Sequence, residues 1–262
     1  MIIQSVQRAM QVLGLFSMST PRLGISEISR ALGLHKGTVQ GLIRTLVHEG
    51  FLQQDQETRK YQLGLKIYEL GLIMAGSLEV NQKASNPAYQ LAKQTKKLVR
   101  IAILDRDSAI ITLDAYPRSE PYFSRQFGPR VPLYCTAMGK ALLAFLEKRE
   151  LNDYLERVEL VAYTPNTITK RDKLRRDLEE TRQRGYSINR EEHLLARAAI
   201  GAPIFGREGS LVAAISLVLD PAQIIGEPLD RMAKEVINTS MEISRYLGYF
   251  PEVASASGRM GE

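Results

Sequence analysis

The amino-acid sequence predicts an α+β protein of two domains, a small winged helix-turn-helix module and a larger α/β domain, joined by a linker helix. Three observations carry that reading. Three helical periodicities broken by glycine-containing turns fill the first fifty residues, a polar hairpin pattern follows them, and beyond residue 80 β-rich runs alternate with helical ones. The length, 262 residues, suits two domains of ordinary size. The expected boundaries are 1–64 for the winged module, 65–80 for the linker helix, 81–250 for the α/β domain and 251–262 for a disordered tail.

The composition is that of a globular protein, with 44% hydrophobic and 24% charged residues. No run approaches the roughly 18 apolar residues of a membrane span, so no membrane partner is expected. The opening MIIQSVQRAMQVLGLF lacks the basic start, uninterrupted apolar block and small-residue cleavage site of a signal peptide, and a cytoplasmic location follows. One cysteine, Cys135, excludes an internal disulfide. With only His35, His48 and His193 beside it, no Cys/His zinc cage can be assembled. Neither a metal nor a cofactor is expected. The net charge is +6, and residues 1–62 carry seven Lys/Arg against four Asp/Glu, so positive charge is denser in the first quarter.

In the winged module, Val6, Ala9, Met10, Leu13 and Phe16 recur at helical spacing behind Ser5, read as the N-cap. Pro21 and Gly24 break the chain before a second helix from Ser26, with Ile28 and Leu32 inward and Gly33 as its stop. The turn Gly33-Leu34-His35 leads to a third helix that ends at Gly50. Its inward residues are Val39, Leu42, Ile43, Leu46 and Val47; Lys36, Thr38, Gln40, Gly41, Arg44 and Thr45 face outward. Two short helices joined this tightly match helix-turn-helix geometry, in which the second helix enters the major groove of DNA. Gln40 can pair with adenine, Lys36 or Arg44 with guanine, and Thr38 can meet a base edge or phosphate. Phe51–Asp55 and Arg59–Leu63, around the turn Gln56-Glu57-Thr58, read as a wing hairpin whose Arg59 and Lys60 face phosphate or minor groove.

Read in order, SVQRAMQVLGLF, ISEISRALGLHKGTVQGLIRTLVHEGFL, KYQLG, PLYCTAMGKALLAFL, TPNTIT, RQRGYSINREEH and APIFGREGSLVAAISL resemble the IclR family of bacterial regulators, from about Ser5 to Gly248. The resemblance implies a winged helix that binds an operator, a linker helix, and an α/β effector domain related to GAF and profilin-like sensors, assembled as a homodimer or homotetramer. A regulator controlled by a small organic acid is the implied role; whether it represses or activates depends on where its operator lies relative to the promoter, and a repressor is the expectation. The sequence departs from the family in its recognition helix, where Lys36-Gly37-Thr38 and Gln40-Gly41 stand in place of Lys-Ser-Thr and a pair containing His, Tyr or Arg. Gly41 weakens that helix by about 1 kcal/mol relative to Ala.

Leu65 to Leu78 is apolar nearly all round, so a helix there needs cover on more than one side, from a dimer partner or from its own domains. A helix is expected after Asn86-Pro87, then a hairpin of Val99–Leu104 and Ala109–Leu113. Thr136 starts a helix from about Ala137 to Leu146. Its Gly139-Lys140 pair fails as a phosphate-binding loop, because Tyr134 replaces the leading glycine and Ala141 the Ser/Thr. Free N–H groups at such a helix start nevertheless favour a carboxylate. Lys170 to Arg184 reads as a charged, solvated helix ended by Gly185. Gly201–Phe205 and Leu211–Leu219 read as strands around a turn at Gly206–Gly209, and Pro228 to Leu247 as the last helix.

By position, the resemblance implicates Phe123, Ala137, Met138, Asn189, Ala199, Ser216 and Val218 in holding the effector. Asn189 stands where the family has Asp, Ala199 where it often has Cys, and Val218 where a hydroxyl can occur; Leu195-Ala196 replace a common Pro-Gly. A pocket so altered is more apolar, which points to an acid with a larger apolar or aromatic body rather than to glyoxylate. No nucleophile, base and orienting group are grouped, so no catalytic residue is assigned. Cys135 reads as packing, and His193 either as a ligand contact or as a surface residue. The residues leave open two other classes: a DNA-associated protein without an effector, and a sensor-like domain that turns over its ligand.

Overall fold

The computed structural model describes residues 1–117 and 128–251. Phe123 and residues 252–262 of the expected tail lie outside them. The chain divides into two compact units, Met1–Ser77 and Leu78–Glu262.

In the first unit, α1 (Gln4–Gly14), α2 (Ile25–Leu32) and α3 (Lys36–His48) precede the strands β1 (Leu52–Gln54) and β2 (Tyr61–Leu63), and α4 (Leu65–Ser77) closes it. Val12, Ile28, Val39, Ile43, Leu46 and Leu52 form the core, one or more from each of the first three helices and the wing. Ser5 is not the cap of α1: the helix starts a residue earlier, behind Ile3, with no side-chain cap. The helix α2 ends on Gly33 at φ 64°, left-handed backbone that a glycine adopts without strain. The Ser29 hydroxyl donates to Leu34 O at 2.6 Å and closes that turn. Val47 is exposed, contrary to its expected inward position. At about 100° per residue it falls at the edge of the arc centred on Val39 and Ile43, in the last turn where the core has ended.

Strands β1 and β2 pair antiparallel, with Leu52 opposite Leu63. Asp55 shapes the turn between them, its carboxylate accepting from the Thr58 N–H and hydroxyl, both at 2.8 Å. Leu23, just before α2, exchanges two backbone hydrogen bonds with Tyr61, so the wing is stitched to the helical part. The helix α4 buries no residue within its unit, and Leu65, Tyr68, Leu72, Ile73 and Met74 stand exposed.

The second unit begins with α5 (Glu79–Thr95), followed by β3 (Val99–Asp105), β4 (Ser108–Ala115), β5 (Arg130–Pro132), α6 (Ala137–Ala144), α7 (Lys148–Arg157), α8 (Arg171–Arg184), β6 (Ser187–Arg190), β7 (Ala198–Phe205), β8 (Leu211–Leu219) and α9 (Gly226–Tyr246). The six strands form one antiparallel sheet in the order β5-β4-β3-β8-β7-β6. Alternate residues of each strand face opposite sides. Ile101, Ile200, Ile215 and Leu217 pack with α5 and α9, whereas Ala102, Ile111 and Ala214 pack with α6, α7 and α8. The result is three layers, helices on both faces of the sheet.

The helix expected after Pro87 starts eight residues before it, with Pro87 buried inside α5. Packing outweighs the lost backbone hydrogen bond: Val80, Ala84, Ala88, Leu91 and Ala92 are all buried, and Asn81 is fastened to the sheet by the Thr112 hydroxyl, which donates to its Oδ1 at 2.7 Å. The helix α8 is less solvated than its charge run predicts, because Leu174, Leu178 and Thr181 make a narrow buried stripe. The helix α7 is an element that the sequence reading lacks although Leu151, Tyr154, Leu155 and Val158 recur at helical spacing, whereas β6, four residues long, is too short to show a periodicity. Strand β7 starts three residues earlier than expected, at Ala198.

Candidate DNA-contact surface and effector site

On α3, Lys36, Thr38, Gln40 and Arg44 are all exposed. At about 100° per residue, Lys36, Gln40 and Arg44 step along one flank of the free face and Thr38 and Thr45 along the other, with Gly37 and Gly41 between them. A side chain at Gly41 would meet nothing within 4 Å. The His35 ring caps the helix by accepting from the Gly37 N–H at 3.3 Å.

The two wing cations differ. Lys60 Nζ lies 3.1 Å from Glu27 Oε1, and the same carboxylate accepts from the Gly24 N–H at 2.6 Å, capping α2 from inside. These bonds hold the Glu27 carboxyl below its ordinary range, the Gly24 N–H first and Lys60 second. Arg59 sits at the tip in left-handed backbone, φ 58°, and its carbonyl accepts from Gln54 Nε2 at 2.9 Å. Arg22 grips the wing at its turn through Asp55 at 3.2 Å and at β2 through Gln62 at 3.0 Å.

In the second unit, α6 makes two close approaches, one to strand β7 and one to the segment that leads into the helix from β5. A Cβ on Gly201 would stand 2.6 Å from Ala137 O, and one on Gly139 2.3 Å from Leu133 O. Thr136 caps the helix, its Oγ1 accepting from the Gly139 N–H at 3.2 Å and donating to Pro132 O at 2.7 Å. The N–H groups of Ala137 and Met138, in the first turn, have no partner within the helix. Ser187 donates to Ala137 O at 2.6 Å from β6.

The register places one row of residues across that face: Ser187 opposite Gly201, Gly201 opposite Ser216, Ser216 opposite Arg100, and Arg100 opposite Asp114. Directly opposed residues share a face. Asn189, Ala199 and Val218 form the next row. The register thus gathers Asn189, Ala199, Ser216 and Val218 on the α6 side with Ala137 and Met138, although they come from four separate stretches of sequence.

Two features of the rows were not read from the sequence. Ser216 Oγ is fully buried and has no hydrogen-bond partner among the described residues. Arg100, sheltered from solvent, pairs with Asp114 at 3.2 Å. It sits about two strand spacings, roughly 10 Å, from Gly201 and the α6 start. Its placement in a β-rich run hides it, since only the register reveals which face it shares. His193 stacks edge-on against Tyr163, ring centroids 5.1 Å apart. Burial first, and then the charge of Arg100, hold its pKa below the ordinary value, so it is a neutral ring at pH 7. Cys135 is buried, and burial pushes its thiol up to about 12, which leaves it protonated and unreactive near neutrality. Lys140 is wholly buried between Glu192 and Asp177, a structural placement that agrees with its failure as a phosphate-loop lysine.

No helix among the described residues is long and apolar enough to cross a membrane. Residues 5–56 match the IclR helix-turn-helix domain, and residues 73–245 match the bacterial transcriptional regulator IclR C-terminal domain. The HTH-type transcriptional regulator XynR of Escherichia coli (strain K12) is 33% identical over 248 residues, 95% of this chain and 98% of that protein. An IclR transcriptional regulator from Alicyclobacillus acidocaldarius has a solved structure similar at TM-score 0.83 and 28% identity, covering 95% of this chain and all of that one. An IclR homologue from Microbacterium hydrocarbonoxydans, solved in complex with 4-hydroxybenzoate, shares the fold at TM-score 0.81 and 20% identity, over 94% of this chain and 99% of that one. These relatives are regulators rather than enzymes. The chain belongs to the IclR family of bacterial transcriptional regulators, with a DNA-binding helix-turn-helix and a C-terminal effector domain.

Proposed function

We propose that the protein is a repressor that leaves its operator when a small organic acid with an apolar or aromatic body occupies the α6 face of the sheet. The observation that carries the reading is Ser216 Oγ, buried and unpartnered among the described residues, in register between Gly201 under the α6 start and Arg100. An unsatisfied buried hydroxyl is costly unless a ligand or water completes it. In this reading the Ala137 and Met138 N–H groups hold the carboxylate, Ser216 adds a hydrogen bond, and Arg100 attracts the anion. Met138, Ala199 and Val218 border the body of the acid and Asn189 its rim, with Phe123 added by family resemblance alone.

The DNA contacts are assigned to Lys36, Thr38, Gln40 and Arg44 on α3 and to Arg59 and Lys60 on the wing, within a DNA-binding module of residues 1–64. Residues 65–80 act as the linker and 81–250 as the effector domain. The exposed apolar surface of α4 supports assembly as a homodimer, or a pair of dimers, on a roughly palindromic operator. A protein that works on the chromosome belongs in the cytoplasm.

Titration calorimetry with benzoate, 4-hydroxybenzoate, short aliphatic acids and glyoxylate tests the effector. Ser216→Ala and Ala199→Phe are expected to weaken or abolish the binding seen with aromatic acids. Glyoxylate binding more tightly than every aromatic acid, or an unaltered Ala199→Phe, would overturn the reading.

A further inference from the structure

The turn between β6 and β7 is fastened chiefly through Glu192. The Glu192 backbone N–H donates to Asn189 Oδ1 at 2.9 Å, and its carbonyl accepts the hydroxyl of Thr167 at 2.5 Å. Its Oε1 accepts from the Arg190 N–H at 3.2 Å and from Lys140 Nζ at 2.7 Å. Lys140, with no exposure at all, also lies 3.0 Å from Asp177 Oδ2 on α8. Three segments distant in sequence, α6, α8 and the turn, therefore meet on one ammonium group.

A buried ion triad is a poor device for stability alone, because the cost of removing its charges from water offsets much of their attraction. Here burial raises the Glu192 carboxyl above its ordinary range even though Lys140 pulls it down, and Glu192 Oε2 has no hydrogen-bond partner among the described residues. What the triad supplies is geometry. Lys140 stands three residues beyond Ala137, on the helix whose first N–H groups are the proposed carboxylate cradle. Glu192 holds Asn189 by its own backbone, and His193, the next residue, packs on Tyr163 within the electrostatic reach of Arg100. The Thr164 hydroxyl donates to Glu191 O at 2.7 Å, so the Tyr163–Thr167 segment straps the turn from its other side.

We propose that Lys140 is a positioning residue of the effector site: through Glu192 it holds residues 189–193 beside the start of α6, and through Asp177 it ties that turn to α8. This inference rests on the effector-site reading above. It predicts that effector affinity depends on the triad while operator affinity does not.

Lys140→Met alone strands two carboxylates, and its folding failure would teach little, so the test uses Lys140→Met/Glu192→Gln, which removes both central charges, and separately Thr167→Val, which loosens the strap without touching a charge. The readout that needs no effector is the titration of the His193 ring, followed by NMR in full-length protein labelled at histidine and identified with His193→Gln. In both variants His193 is expected to titrate closer to its ordinary value than in the wild type, because a released turn exposes the ring. Calorimetry with benzoate is expected to show binding weakened by about tenfold in the double variant, as when a supporting group behind a ligand contact is lost. Operator affinity should stay within about twofold, since separate sites without shared partners act independently.

An unshifted His193 titration in a folded double variant overturns the proposal. So does benzoate affinity equal to the wild type's, or operator affinity falling in step with thermal stability, which would make the triad purely a matter of folding. If wild-type protein binds no acid at all, the effector reading fails by itself, and the His193 titration still decides whether Lys140 sets the turn.

Discussion

The winged module and the sheet domain use opposite ways of building a site. On α3 the side chains proposed to contact DNA point outward from a helix whose core residues, Val39, Ile43 and Leu46, occupy the other side. In the sheet domain Ser216, Arg100 and Asn189 are sheltered, and they share one face because four neighbouring strands, β3, β8, β7 and β6, align them in two adjacent rows on the α6 side. The exposed site is tuned by changing one residue at a time. The sheltered site is bound to the packing that makes it, so a substitution there changes affinity and stability together.

The largest test of that contrast is Gly201→Val. Its Cβ would lie 2.6 Å from Ala137 O and 2.8 Å from Ser187 Oγ, so α6 must lift from β7. Urea unfolding is expected to show a loss of about 3 kcal/mol, the upper end of overpacking costs, with effector binding abolished. Wild-type stability would mean that the helix is not seated on the glycine.

Next in size is Gln40→Ala against Arg59→Ala, read on a panel of operator variants. The first is expected to cost about 1–3 kcal/mol at particular base pairs, and the second to weaken every sequence alike and reduce the salt slope by about 1. Lys60→Ala should look different from Arg59→Ala. Its ammonium is engaged by Glu27, so part of its effect should register as lower thermal stability of the module. Identical profiles for all three would remove the division between reading and gripping residues.

Thr136→Ala is a smaller perturbation of the sheltered site. It removes the cap from Gly139 and the hydrogen bond to Pro132, and a loss of about 1 kcal/mol is expected on chemical denaturation. Weaker binding of aromatic acids should accompany it, because the first turn of α6 frays where the carboxylate is proposed to sit.

This contrast also explains what the sequence made legible. Local patterns carry the first unit: Gly33 marks the turn, the spacing from Val39 to Leu46 marks the helix, and the outward residues need no further information. In the second unit the hairpin β3–β4 and the capped start of α6 are visible for the same reason. Arg100 was not, because its proposed role depends on Ser216 lying opposite it, 116 positions away in the chain numbering. Asp177 was hidden in a charged run, where nothing local separates the one carboxylate that reaches Lys140 from its solvated neighbours. Pro87 misled as a start signal, because the burial of Val80 and Ala84 recruits the residues before it into the helix. Pairings distant in sequence and packing that overrides propensity leave no mark in a short window.

The smallest effect belongs to Gly41→Ala, and it sharpens the account of the exposed site most. Gly41 lies between the two flanks of the α3 face, and a Cβ there would meet nothing within the protein. In the free protein alanine should therefore stabilise the helix by about 0.8 kcal/mol, through lower backbone entropy in the unfolded chain and better helix propensity. The Thr45 hydroxyl, which donates to Gly41 O at 3.2 Å, is unaffected because the substitution leaves the carbonyl in place. Operator affinity then gives the deciding contrast. If it falls while thermal stability rises, the methyl group meets DNA, and the bare backbone between Gln40 and Thr38 is what admits the helix deep into the groove. If both rise or affinity is unchanged, the glycine serves no contact, and recognition rests on the flanking side chains alone.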